Sequence, residues 1–188
     1  MRNLTLLLIT IFLISSCATT RAPSNLDNIC QIYKKKRSWK RQVKRIKRKW
    51  DVPPYTLMAI IHQESKFVAN ARPMKISSRG RKVRASSAYG YAQAIDSTWK
   101  RYQKATGRKR AKRTNFNDAT DFMGWYIDAN HKRNNVAKSD TFRQYLAYHE
   151  GIGGYSLGSY LKKPWLIEVA KKVKRRSDMY RRQMVNCK

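Results

Sequence analysis

Acid is scarce in this chain. Its 188 residues include 11 Asp or Glu against 42 Lys or Arg, a formal net charge of +31. A surplus of that size requires a strongly anionic partner or working surface, without specifying which polyanion. Cysteine is nearly absent: there are three, and no C-x-x-C, which excludes a zinc ribbon or a thioredoxin-type site. The three histidines, His62, His131 and His149, form no H-E-x-x-H or other tight ligand spacing, so neither a metal nor a cofactor is expected. No stretch alternates with period two for long enough to build a large sheet, and no repeat is present. The main apolar run, Leu4 to Ile14, spans about 11 residues, too few for a bilayer core that needs roughly 20. Aromatic residues are plentiful by contrast, with five Trp, eleven Tyr and five Phe in a chain that is 41% hydrophobic. That composition excludes a disordered polycation, and the length suits one domain with a real core.

Residues 1–16 read as a secretory signal peptide: Arg2 supplies the positive start and the apolar run is of signal length. The run closes on Leu13-Ile14-Ser15-Ser16-Cys17, which resembles a bacterial lipobox, and the resemblance implies a lipid on Cys17 that anchors the chain to a membrane. The alternative is an ordinary signal peptide with a cysteine nearby. Ala18 follows, not the Asp that by the same resemblance would retain a lipoprotein at the inner membrane. The expected address is therefore the outer membrane, facing the periplasm. Peptidoglycan and other anionic envelope polymers are the partners expected there. Nucleic acid is not, although the basic runs around Trp39 and Trp50 have phosphate-neutralising character. With Cys17 set aside, Cys30 and Cys187 remain as an even pair near the two ends. An oxidising compartment favours a disulfide between them; two free thiols are the alternative.

Residues 17–25 read as a tether and 26–188 as a single domain. The spacing predicts a basic helix capped near Ser24 that runs to Trp50 with Trp39, Val43 and Ile46 inward, then a helix from Pro54 to about Val68. Residues 69–85 form a basic loop with Arg72, Lys75, Arg79, Arg81, Lys82 and Arg84. Further helices are predicted from Asp96 to Gly107, from Asn117 or Asp118 with Phe122, Trp125, Tyr126 and Ala129 inward, and from Asp140 to His149. The last begins at Pro164, with Leu166, Val169, Val173, Tyr180 and Met184 on one side. The class is all-α, with at most a small hairpin.

With so few carboxylates, each can be given a structural reason and the remainder inspected. Asp27, Asp96, Asp118, Asp121 and Asp140 fall at or just after predicted helix starts, where caps and the helix dipole favour them. Glu168 lies near the start of the last helix, and Asp51 breaks the chain beside two prolines. Asp128 and Asp178 have Lys and Arg neighbours. Glu64 and Glu150 are left. Glu64 lies on the apolar side that Leu57, Ile60 and Ile61 define. Partial burial there would raise its pKa, as a general acid requires near neutral pH; a salt-bridged surface Glu is the plainer alternative. Glu150 ends a helix, where the dipole disfavours an anion unless solvent relieves it.

Three segments then share one resemblance. Ile61-His62-Gln63-Glu64-Ser65 resembles the catalytic Glu-Ser motif of the soluble-lytic-transglycosylase family, which has a lysozyme-like fold. Gly90-Tyr91-Ala92-Gln93 resembles that family's Gly-Leu-Met-Gln, and Ala147-Tyr148-His149-Glu150-Gly151 its Ala-Tyr-Asn-Ala-Gly. The motifs keep the family's order and occupy roughly residues 50–160, between a basic N-terminal helix and a long C-terminal one. The resemblance implies a lytic transglycosylase that cleaves the MurNAc–GlcNAc bond of peptidoglycan with one acid/base, Glu64, and closes a 1,6-anhydro ring. It implies that Ser65 orients the substrate or the helix, that Gln93 lies in the sugar cleft, and that Tyr148 hydrogen-bonds near Glu64.

This sequence also departs from the pattern. Gln93 stands farther from Glu64 than is usual, which makes 69–85 an enlarged loop beside the cleft. Its charges suit peptide-stem carboxylates, the lactyl acids of MurNAc, or simply solvent. His149 and Glu150 stand where Asn and Ala are usual, which leaves open a lysozyme-type hydrolase using Glu64 and Glu150. A non-catalytic wall-binding lipoprotein is the third reading. Gly154-Tyr155-Ser156-Leu157-Gly158 matches G-x-S-x-G by letter. A helix precedes it and no His follows residue 149, so a flexible turn is expected there. His62 is expected at the surface or just behind the site.

Overall fold

The computed structural model describes residues 22–187. The expected signal peptide, Cys17 and the start of the tether lie outside the described residues. Two helices replace the single basic one expected first. α1 (Ile29–Lys35) is capped by Asn28, whose side chain accepts from the Gln31 amide at 3.0 Å, and not by Ser24. After a break at Lys36 the chain resumes as α2 (Arg37–Trp50), which buries Trp39, Val43 and Ile46 as their spacing dictates. Asp51, in the left-handed conformation, ends it.

Pro54 occupies the first turn of α3 (Pro54–Ser65), where a missing N–H costs nothing. Residues Leu57 to Ile61 are all buried, so α3 is the central helix, enclosed on every side. It stops short of the expected Val68 because Lys66 and Phe67 both adopt positive φ, which turns the Phe67 ring back into the core. The basic loop contains a small hairpin: β1 (Met74–Ile76) pairs antiparallel with β2 (Lys82–Arg84). α4 (Asp96–Thr106) begins with Asp96 as its first helical residue, its cap position taken by Ile95, and Asp96 pairs with Arg113 at 2.7 Å. α5 (Phe116–Asn134) is capped by Asn115 and α6 (Thr141–Glu150) by Asp140. Gly151 then turns the chain into the short α7 (Ile152–Ser156), a 3-10 turn at Ser159–Lys162, and α8 (Pro164–Val185).

α8 lies along α3 and α6, while α2 packs on α5. The second contact is close enough to require glycine: a Cβ on Gly124 would sit 2.5 Å from Trp50 Cδ1 and 2.9 Å from Ile46 Cγ2. The Trp39 and Phe116 rings stack at 3.8 Å across the same side of the core. Three buried hydroxyls, Thr56, Thr141 and Ser177, link α3, α6 and α8 at 2.9 and 2.7 Å. Each satisfies its neighbour, so none is left unpaired in the interior.

Asp121 is not a helix-start residue. It is buried within α5, where it accepts from Tyr102 Oη at 2.7 Å, Trp50 Nε1 at 2.9 Å and Lys49 Nζ at 2.8 Å. These partners, with Arg108 at 3.3 Å, hold its pKa below the ordinary value although burial alone would raise it. Cys30 and Cys187 are joined in a disulfide at a sequence separation of 157, tying α1 to the chain just past the C-cap of α8. Closing a loop of that length stabilises the fold by about 5 kcal/mol in the chain-entropy model.

Candidate active site

A groove of about 460 Å³ opens between the end of α3, the base of the hairpin, α4, α5 and the end of α6. Phe122 and Tyr126 of α5 line it, with Ile95 and Thr98 at the start of α4. Five residues singled out by the sequence come together on its walls: Glu64, Gln93, Tyr148, His149 and Glu150.

Glu64 reaches the groove because α3 ends one residue later. It is half-buried, and packing of protein around the carboxyl pushes its pKa up to about 8. The last turn of a helix, where carbonyl dipoles point outward, is also a poor place for an anion. One group opposes the rise: the hydroxyl of Tyr145, whose hydrogen bonding favours the carboxylate. Tyr145 was not singled out as a site residue by the sequence. The available signal was its position three before Tyr148, which sets both on one face of α6.

Tyr148 lines the groove beside Glu64. Its hydroxyl donates to the Ala92 carbonyl, which fixes the turn carrying Gln93, and burial keeps the phenol in its neutral form. That turn starts at Gly90, with φ 79, where a Cβ would lie 2.2 Å from the Arg113 carbonyl oxygen; only glycine fits. Gln93 Nε2 donates to the carbonyls of Ala71 at 2.9 Å and Gly90 at 2.7 Å. The amide therefore clamps the turn against the start of the basic loop, and its Oε1 has no protein donor among the described residues.

Ser65 lies outside the groove. It is buried, and its hydroxyl donates back to the Ile61 carbonyl at 3.3 Å, so of its two expected roles only the one within the helix remains. His62 is not at the surface. It is buried edge-on against Phe67, and burial lowers its pKa to about 4.

Glu150 is ionised, but not because solvent relieves it. Its side chain is 3% exposed and meets Lys163 Nζ at 2.8 and 3.1 Å, the Ser159 hydroxyl, and His149 Nδ1 at 3.0 Å. The Lys163 pair first, then the hydroxyl, hold its pKa down to about 2. The His149 ring in turn meets Trp165 edge-on at 5.2 Å. The two groove carboxyls are thus driven in opposite directions, one kept protonated and one kept charged.

A larger groove, of about 580 Å³, runs along α1 and α2 beside the disulfide. Lys34, Arg37, Arg41 and Lys44 rim it and, among the described residues, no carboxyl side chain lines it, so acid–base chemistry is assigned to the smaller groove. Ser156 of the G-x-S-x-G match bonds Asn134 and the Ile152 carbonyl and is not a nucleophile held by a base.

A family model described as Transglycosylase SLT domain matches residues 5–187. The match takes in α1, α2 and α8 as well as the stretch that carries the three motifs. No curated protein matches the chain.

Proposed function

The chain belongs to the transglycosylase SLT domain family, and from that premise we propose that it is a peptidoglycan lytic transglycosylase with Glu64 as its single acid/base. One observation carries the reading. Glu64 is the groove carboxyl whose pKa is raised, to about 8, so it holds a proton at neutral pH where a glycosidic oxygen would need one.

The reaction then runs in two halves. Protonated Glu64 gives its proton to the oxygen linking MurNAc to GlcNAc as the C1–O bond breaks and C1 of MurNAc becomes oxocarbenium-like. The resulting carboxylate takes the proton of the same sugar's 6-hydroxyl, whose oxygen closes on C1 to form 1,6-anhydroMurNAc. Atoms balance without water, and one carboxyl serves as acid and then as base. A hydrolase built on two carboxyls would need Glu150 free to activate water. Its ion pair with Lys163 and a pKa near 2 make it a weak base with no vacant lone pair to spare. That favours the single-carboxyl reading over the lysozyme-type one.

The same reading includes a lipid on Cys17 and an outer-membrane address facing the periplasm; the Cys30–Cys187 disulfide is in keeping with an oxidising compartment. The net charge suits an anionic wall. Mass spectrometry of sugars released from purified sacculi tests the chemistry. Products one water lighter than reducing-end muropeptides, abolished by Glu64→Gln, are expected. Reducing ends would make the protein a hydrolase, and tight binding without release a wall-binding protein.

A further inference from the structure

The hairpin β1–β2 stands at the rim of the groove: Pro73 before it, and Ser86 and Ala88 after it, line the groove itself. From Ser65 to Ile95 the chain has no acidic residue, and no cation of the hairpin has an ion-pair partner among the described residues. The register sets Met74 opposite Arg84 and Ile76 opposite Lys82. Side chains alternate between faces, so these four share one face while Lys75 and Val83 share the other. All four are exposed, Met74 at 49% and Ile76 at 63%. Each large apolar side chain therefore stands in water with a cation about 5 Å across from it. Such a face matches a ligand that alternates methyl groups with carboxylates.

Resting on the reading of the chain as a peptidoglycan transglycosylase, we propose that this hairpin face binds the peptide stems of the substrate. Lys82 and Arg84 take stem carboxylates, and Met74 and Ile76 take the alanyl methyls. The lactyl acid of MurNAc is the poorer candidate. Where a stem is attached, that carboxyl is spent in the amide to the first stem residue and carries no charge. The hairpin's flanking residues Pro73, Ser86 and Ala88 line the groove, so stems that project from a bound strand on that side would meet this face.

The test measures binding in the Glu64→Gln background, so that no turnover intervenes, with fluorescently labelled glycan strands that bear stems and with the same strands stripped by an amidase. Stripping exposes one lactyl carboxylate per MurNAc, which separates the two sources of charge. Stem-bearing strands should bind more tightly, and Lys82→Gln with Arg84→Gln should weaken them about tenfold, the scale of a few exposed charge pairs, while stripped strands change less than twofold. Lys75→Gln with Arg81→Gln removes the same charge from the opposite face and should leave the stem preference standing. Met74→Ser with Ile76→Ser, which keeps every charge, should weaken stem-bearing strands several-fold.

Equal losses on both strand types, or equal losses from the two charge pairs, would overturn the proposal. So would unchanged strand binding with lost binding to vesicles of anionic phospholipid, which would make the face a membrane contact. Release of anhydro sugars by the unmutated chain is followed in parallel. Stem-dependent binding without release would sink the enzymatic reading and leave the hairpin assignment intact.

Discussion

Glu64→Gln should abolish turnover and at the same time stabilise the protein at neutral pH. The fold holds Glu64 with a pKa of about 8, against 4.5 for an ordinary glutamate. A carboxyl whose native pKa is raised favours the native state fully below its unfolded value, and that contribution is lost as pH climbs toward the native value. Between pH 4.5 and 8 the wild type therefore loses stability that an uncharged residue would keep. Linkage across that interval puts the difference at pH 7 near 3 kcal/mol; because Glu64 is only half-buried, solvent screening lowers it to about 2 kcal/mol. Glutamine has nearly the same shape and still accepts from Tyr145, so packing should be kept. For a domain of this size about 2 kcal/mol corresponds to a rise of about 5 °C in Tm. Thermal unfolding followed by circular dichroism from pH 4 to 8 reads it directly. The variant and the wild type should coincide near pH 4 and separate as pH rises. A variant no more stable at pH 7, or an offset that persists at pH 4, would refute the claim that burial of this carboxyl is what protonates it.

Three further outcomes follow from the same geometry. The rate of strand cleavage should fall on an alkaline limb with a midpoint near 8, and Tyr145→Phe, by removing the hydrogen bond that favours the carboxylate, should move that limb up by about one unit; a limb near 4.5 would remove Glu64 as the acid. Glu150→Gln should retain turnover and anhydro products by mass spectrometry while lowering stability by about 1–2 kcal/mol in urea unfolding, because Lys163 and Ser159 lose a charged acceptor. Gly124→Ala should destabilise by about 2 kcal/mol through overpacking against Trp50 and Ile46, with activity per folded molecule unchanged.

Much of the fold was legible in local pattern. Trp39, Val43 and Ile46 mark the buried stripe of α2, Pro54 marks the start of α3, Asp140 caps α6, and the long last helix begins at Pro164. Boundaries failed where a tertiary contact outweighed the local pattern. The basic helix was expected to be capped near Ser24, but Asn28 caps α1, whose Cys30 is tied by the disulfide to Cys187 beyond α8. Apolar periodicity carried α3 on toward Val68, whereas burial of the Phe67 ring forces two left-handed residues after Ser65. Asp121 sat near enough to a helix start to pass for a dipole partner. Its true setting required Lys49, Trp50 and Tyr102, all distant along the chain.

By itself the sequence determined that a helical, strongly basic domain would carry Glu64 on the apolar side of a helix. Amphipathic spacing is a property of neighbours a few residues apart, and a carboxyl with no cap to make stands out against a background of Lys and Arg. Only the tertiary structure decided what each polar group around that carboxyl does. It gave Glu64 the hydroxyl of Tyr145, turned Tyr148 to the Ala92 carbonyl, withdrew Ser65 into its own helix and locked Glu150 onto Lys163. Hydrogen bonds and ion pairs depend on ångström distances between segments far apart in the chain, and the pKa of a carboxyl depends on how much water those segments exclude. Neither quantity is written in any local pattern of residues.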